Sequence, residues 1–171
     1  MAHSDIDPAV PPRRRIGALA LIRNPHGDVL LVKPRYKHAE AKQGWQLPGG
    51  GAHAGEAIAA AAVREVKEET GLTVTISHVL VVDQVPASED GSSAEGFNFV
   101  CDGGRLTEEE AATVAIPEGA RGELSAVEWV PMGQLDDLAF PYQAARVRMA
   151  VRAAESRMAL PLLLHGEAAS A

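Results

Sequence analysis

The residues best suited to chemistry are three glutamates, Glu65, Glu68 and Glu69, close together in the run IAAAAVREVKEETGL. At 100° per helical residue they fall within an arc of about 100°, because positions i, i+3 and i+4 are neighbours on a helix surface. Alone, the arrangement is unfavourable. Like charges at these spacings cost roughly 0.2–0.5 kcal/mol per pair, and they lie at the negative end of the helix dipole. Lys67 is the only cation among them, and its helical position points elsewhere. A multivalent cation would relieve the repulsion, and a donor set made of carboxylate oxygen suits Mg²⁺ or Mn²⁺. The three carboxylates therefore read as a divalent-metal site on a helix.

That helix needs a core-facing stripe, and Ala59, Val63, Val66 and Thr70 supply one at i, i+4, i+7 and i+11, with the carboxylates to one side. Gly71 stands where a left-handed C′ residue belongs, so the helix is expected from Gly55 to Thr70. Residues 45–47 suggest a brief strand stopped by Pro48-Gly49-Gly50-Gly51. Upstream, apolar runs at 16–22 and 29–32 flank the turn formers Asn24-Pro25-His26-Gly27-Asp28, which predicts a β-hairpin. Downstream, 72–85 reads as one or two strands, 86–95 as a loop, and 96–101 and 124–130 as strands. Thr107 and Glu110 have capping-box spacing, and 142–158 reads as a closing helix. Strands mixed with two sizeable helices predict an α/β layered domain. Residues 15–158 would form it. Residues 1–14, with Pro8, Pro11 and Pro12, are expected to be a mobile tail, and 159–171 a C-terminal tail.

Composition narrows the function classes. The chain has 171 residues, 46% hydrophobic and 23% charged, enough for one domain with a real core. A formal net charge of −7 argues against a binder of nucleic-acid duplexes, which present a basic face. One cysteine, Cys101, excludes an internal disulfide and a multi-cysteine zinc site, and fits a reducing, cytoplasmic setting. No stretch approaches the roughly 18 apolar residues of a membrane span. The run Arg13-Arg14-Arg15 followed by IGALALI imitates a signal peptide, but Arg23 closes it without a small-residue cleavage site.

The order Gly50, five residues, Glu56, seven residues, Arg64-Glu65-Val66-Lys67-Glu68-Glu69-Thr70-Gly71-Leu72 resembles the Nudix box, G-x5-E-x7-R-E-U-x-E-E-x-G-U, at every fixed position. At about 7% usage per specified residue, chance would produce it on the order of once in ten million chains of this length. The resemblance implies an α/β/α sandwich with a central mixed β-sheet, and an enzyme that cleaves a diphosphate linked to a second moiety. It implies Mg²⁺ or Mn²⁺ as cofactor, with Gly50 (through its carbonyl), Glu65, Glu68 and Glu69 as ligands. It further implies Glu65 as the first candidate for general base, Arg64 as the residue holding a carboxylate, and Glu56 as a structural partner. The family often adds a carboxylate before a late strand. Glu123 occupies that kind of position, with Glu118 and Glu110 behind it.

Lys33, Arg35, Lys37 and Lys42 lie in or beside the loop leading to Trp45, where a solvated charged loop and a phosphate-binding one look the same. Lys33, Arg35 and Trp45 are taken as the substrate-binding set. Phe97, Phe99 and Tyr142 have strand or helix spacing that favours core over base stacking. His53 is the one histidine within the box loop. The expected partner is a small-molecule diphosphate, a nucleoside triphosphate or nucleotide sugar in the first instance, and a homodimer is possible through residues 160–164. A non-catalytic module of the same fold that binds a nucleotide or diphosphate is the alternative. An isopentenyl-diphosphate isomerase-like enzyme would need a catalytic cysteine, whereas Cys101 reads as a buried small hydrophobe.

Overall fold

Small and branched apolar residues alternate along β1, Arg15–Arg23, and make it the centre of the sheet. Ala18, Ala20 and Ile22 face one core, Leu19 and Leu21 the other, and all are buried. Asn24 Oδ1 accepts the Asp28 N–H at 2.9 Å, closing the turn into β2, Val29–Pro34. The expected hairpin forms only at this turn. Its ladder registers Arg23↔Val29, and then the strands part. Residues 46–52 fill the resulting V. Gln46 exchanges both backbone hydrogen bonds with Val32. Pro48 lacks an N–H and cannot continue that ladder, while its carbonyl accepts the Ala20 N–H at 3.0 Å. β3, Gly49–Gly51, then pairs antiparallel with residues 17–19. The strand expected at 45–47 is thus an isolated bridge at Gln46, and the glycines expected to stop it are the strand.

α1, Ile58–Thr70, begins later than Gly55 because Gly55 is left-handed at φ 77° and Glu56 turns back to accept the His53 N–H at 2.8 Å. It ends as expected on Gly71, at φ 74°, whose N–H donates to the Lys67 carbonyl. Its buried Ala59, Ala61, Ala62 and Val66 pack on the Ala18, Ala20 and Ile22 face of β1. Leu72, Val74 and Ile76 alternate into the same core, and Ile76 exchanges backbone hydrogen bonds with Ala171 before β4, His78–Val85, begins. β5, Gly96–Arg105, runs parallel to β1 and antiparallel to β4. The capping box at Thr107 and Glu110 starts α2, Glu108–Ala112. β6, Leu124–Val130, pairs antiparallel with β2. After α3, Leu135–Leu138, the longer α4, Pro141–Glu155, has proline in its first turn. α4 covers the other sheet face, with Ala144, Val147 and Val151 in one core with Leu19, Leu21 and Val100. β7, Leu160–Pro161, pairs with β4, and a small hairpin of β8, Leu163–Leu164, and β9, Glu167–Ala168, follows.

The strand order is β6-β2-β1-β5-β4-β7 with β3 also on β1, a mixed sheet with helices on both faces. This is the α/β sandwich that the resemblance implies. The computed structural model describes residues 13–35, 42–91, 93–169 and 171. Most of the 1–14 segment, Lys37 and His38 lie outside the described residues. No helix among the described residues is long and apolar enough to cross a membrane.

Candidate functional site

The V between β1 and β2 is what brings a loop against the glutamate face of α1. Gly49, at φ 137°, packs so close to β1 that an added Cβ would lie 2.3 Å from the Ala18 carbonyl oxygen. A Cβ on Gly50 would lie 2.7 Å from the Glu65 carboxyl. Gly49 can approach the sheet backbone only as glycine, and Gly50 without a side chain leaves the Glu65 carboxyl in place. The Gly49 N–H donates to Glu69 Oε2 at 2.7 Å, tying the loop to the helix.

Arg64 organises the neighbouring carboxylates. Its Nε and Nη2 donate to the two oxygens of Glu56 at 2.8 and 2.9 Å, a bidentate fork. Nη1 donates to Glu65 Oε1 at 2.7 Å and to Glu68 Oε2 at 3.2 Å, and Nη2 also donates to the Gly51 carbonyl at 3.0 Å. The Arg64 bonds, with the His53 N–H second, hold the Glu56 carboxyl down at about 2. Glu69 behaves oppositely. Burial pushes its carboxyl up to about 7, against the Gly49 bond, and the charges of Glu65, Glu123 and Glu68 add to the rise.

Glu65, Glu69 and Glu123 line one cavity of about 240 Å³ together with Gly49, Gly50, Gly51, Gln46 and Pro34. The structure therefore brings Glu123 from the start of β6 to the helix carboxylates. Glu68 is exposed and does not line the cavity. Among the described residues, no group of three or more His, Cys, Asp or Glu side chains converges as a ready-made ion site. Arg64 Nη1 holds Glu65 and Glu68, while the Gly49 N–H holds Glu69. In chemical type they still suit a hard divalent cation: all donors are oxygen, and Glu65 Oε2 and Glu69 Oε1 have no hydrogen-bond partner among the described residues.

The remaining expected positions scatter. Arg35 donates from its backbone N–H to the Glu123 carbonyl at 2.7 Å and from Nε to the carbonyls of Arg121 and Leu124, so it braces the loop that carries Glu123. Lys33 lies along β2, its carbonyl accepting from Ser125 Oγ. Trp45 is buried in the α4-side core, and neither it, Lys33 nor Arg35 lines the carboxylate cavity. Lys42 pairs with Asp137 at 3.2 Å. Glu110 is engaged in the α2 capping box, and Glu118 is exposed away from the cavity. Cys101 is fully buried, with desolvation pushing its thiol up to about 12. Phe97 and Phe99 are partly buried, whereas Tyr142 is 52% exposed and stacks beside Phe140.

Tyr142 lines a larger cleft of about 850 Å³ that shares Gln46 and Gly49–Gly51 with the carboxylate cavity. Its other walls include residues that sequence reasoning missed: Arg14, Arg15, Asn98, Gln143 and Arg146. Asn98 lies across Gly17, where a Cβ would be 2.3 Å from its Oδ1, and its amide has no partner among the described residues. Gln143, 2% exposed, donates Nε2 to Gln46 Oε1 at 3.2 Å, and its own Oε1 has no partner among the described residues. Arg146 is paired with Asp83 and lies over the Tyr142 ring at 5.6 Å. Asn98 was the one available signal, as the single polar residue in the run GFNFVC.

Comparison with known proteins agrees with this architecture. Residues 13–150 match the family profile of the NUDIX domain. Nudix hydrolase 5 of Arabidopsis thaliana is 34% identical over 118 residues, covering 69% of this chain and 36% of the relative. The chain thus spans little more than a third of that plant protein. An RNA pyrophosphohydrolase of Brucella ovis is 31% identical over 126 residues, covering 66% of this chain and 69% of the relative. Among solved structures, a MutT protein from Methanosarcina mazei Go1 superposes with a TM-score of 0.63 at 23% identity, covering 87% of this chain and 99% of the other.

Proposed function

This chain belongs to the Nudix family, and on that premise we propose that it hydrolyses a phosphoanhydride bond in a diphosphate joined to a second moiety, X. A nucleoside triphosphate or nucleotide sugar is the substrate class put first. The observation that carries this reading is that Glu65, Glu69 and Glu123 line one cavity with the Gly49–Gly51 backbone, which also forms a wall of the 850 Å³ cleft. Mg²⁺ or Mn²⁺ would be held by Glu65, Glu68, Glu69 and the Gly50 carbonyl, with Glu123 adjacent. When bound, such a cation supplies positive charge to the phosphate oxygens as negative charge develops on the leaving group.

The chain's own groups then have separate tasks. Arg64 fixes Glu56 and one oxygen of Glu65, so the box loop and the helix face move as one unit. Glu65 keeps its second oxygen without a partner among the described residues, and is the first candidate to take the proton of the attacking water. Gly49 holds Glu69 by its N–H and fixes the direction of that carboxyl. Arg35 fixes the backbone on either side of Glu123. Gln46, shared by both cavities, stands where X and diphosphate would meet.

The test is release of phosphate or nucleotide from nucleoside triphosphates, nucleotide sugars, ADP-ribose and dinucleoside polyphosphates with Mg²⁺ present. Turnover of at least one is expected. A folded, metal-loaded protein that cleaves none of them overturns the proposal, and tight binding without cleavage would point instead to a ligand-sensing module.

A further inference from the structure

From the far end of the larger cleft we infer that X carries a second, distal phosphate, which narrows the substrate from a plain nucleoside triphosphate or nucleotide sugar to a nucleotide bearing a further phosphate, and that Arg15, assisted by Arg14, is the subsite for it. The inference rests on the reading of the carboxylate cavity as the place of diphosphate cleavage. Strand alternation sets the geometry. Arg15, Gly17 and Leu19 share the α4-facing side of β1, opposite Gly96, Asn98 and Val100 of β5. Leu19, 8% exposed, is the innermost of the three, and all of them line the cleft, so its floor runs from Leu19 along Gly17 to Arg15. Gly50 pairs with Ala18, and Arg15 stands three residues further along β1, about 10 Å away at the usual rise of a strand. That is about the length of a nucleoside beyond the scissile diphosphate.

Charge points the same way. The arginines lining the cleft are Arg14, Arg15 and Arg146, and the one carboxylate, Glu56, is already taken by Arg64. Arg146 is neutralised by Asp83 at 2.6 Å. Arg14 gives its Nε to Glu95 at 2.7 Å, a carboxylate also bonded by Gln84. Arg15 differs from both. Its Nε donates to a neutral acceptor, the Ala94 carbonyl, at 2.9 Å, and no carboxylate pairs with it among the described residues. The terminal amino groups of Arg14 and Arg15 have no hydrogen-bond partner among the described residues. Each fork is therefore steadied at Nε and keeps terminal donors without partners among the described residues, which suits a phosphate's oxygens. In a chain of net charge −7, an uncompensated cation at the end of a cleft is a local exception that favours an anionic ligand. Arg13 is also exposed but does not line the cleft, and so provides a charge-matched control.

Three substrate pairs separate the sources of such a phosphate: coenzyme A against dephospho-coenzyme A, NADP⁺ against NAD⁺, and a 5′-triphosphorylated dinucleotide against a nucleoside triphosphate. The first two place a monoester on the ribose, the third a diester between nucleosides. For at least one pair, the phosphate-bearing member is expected to show kcat/KM about tenfold higher, through KM. Arg15→Ala should remove that preference, Arg15→Lys should retain part of it, and Arg13→Ala should leave it intact. Preference unchanged in Arg15→Ala, or no preference in any pair while some members are cleaved, overturns the phosphate subsite and leaves the hydrolase reading standing. Absence of all cleavage counts against the hydrolase reading. The subsite is then judged by equilibrium binding of the same pairs, where equal affinities overturn it and an Arg15-dependent difference supports it.

Discussion

Replacing Glu69 by glutamine should make the metal-free protein more stable while removing most of its activity. Burial, with help from three neighbouring carboxylates, raises the Glu69 carboxyl from 4.5 to about 7. At about 1.4 kcal/mol per tenfold change in proton affinity, the ionised form is disfavoured in the fold by roughly 3 kcal/mol. Water at the cavity mouth reduces this, so a gain of about 1–3 kcal/mol is expected for Glu69→Gln at pH 8. The amide oxygen of glutamine can still accept the Gly49 N–H, so that bond is kept. Between pH 4.5 and about 7 the folded state binds more protons at Glu69 than the unfolded state does. Stability conferred by the protonated form is therefore lost as pH rises through that window. The advantage of the variant should be full at pH 8 and small at pH 5. Urea denaturation of chelator-treated protein at both values measures it, alongside turnover with Mg²⁺, which should fall on the order of 10²–10³-fold. A variant less stable than the parent at pH 8, or a gain equal at both values, would refute an uncompensated buried charge at Glu69, and undiminished turnover would refute its proposed role in metal binding.

Glu56→Gln should flatten the acid limb of stability. The parent carboxyl is held at about 2 against 4.5 when free, so its contribution is present above pH 4.5 and is lost as pH falls towards 2. Denaturation midpoints of the two proteins should converge across that window, and a constant gap would contradict the Arg64 fork as the cause. Gly50→Ala places a Cβ 2.7 Å from the Glu65 carboxyl. Because that side chain can swing away, stability should fall by no more than about 1 kcal/mol while kcat drops at least about tenfold, read from melting and steady-state kinetics. Trp45→Ala should cost about 3–5 kcal/mol in urea denaturation, since Trp45 is 5% exposed within the α4-side core. A loss confined to KM with unchanged stability would instead make Trp45 a substrate contact.

Local rules carried much of the fold. Gly71 ends α1 where its spacing demanded, and Thr107 with Glu110 starts α2 as a capping box. They failed where the backbone's partners were distant. The β1–β2 hairpin looked complete because its turn residues are strong, but residues 46–52 compete for the same hydrogen-bonding edges and win most of them. Gly49–Gly51 read as a breaker and is a strand, because its hydrogen-bonding partner is the distant β1, against which Gly49 fits only without a Cβ.

The sequence by itself determined which residues could do the chemistry and that three of them share one helix face, since i, i+3 and i+4 spacing is a property of the helix alone. Tertiary structure decided everything that depends on separate segments meeting. It set Glu123 beside Glu65 and Glu69, gave Arg35 to the loop that carries Glu123, and put Trp45 into the core. It also decided that Arg14 and Arg15, which precede the core strand as a plain basic run, stand at the end of a cleft. Pairing of β1 with β5 and packing of α4 join residues some 80 to 130 positions apart, and no local spacing in the chain encodes that distance.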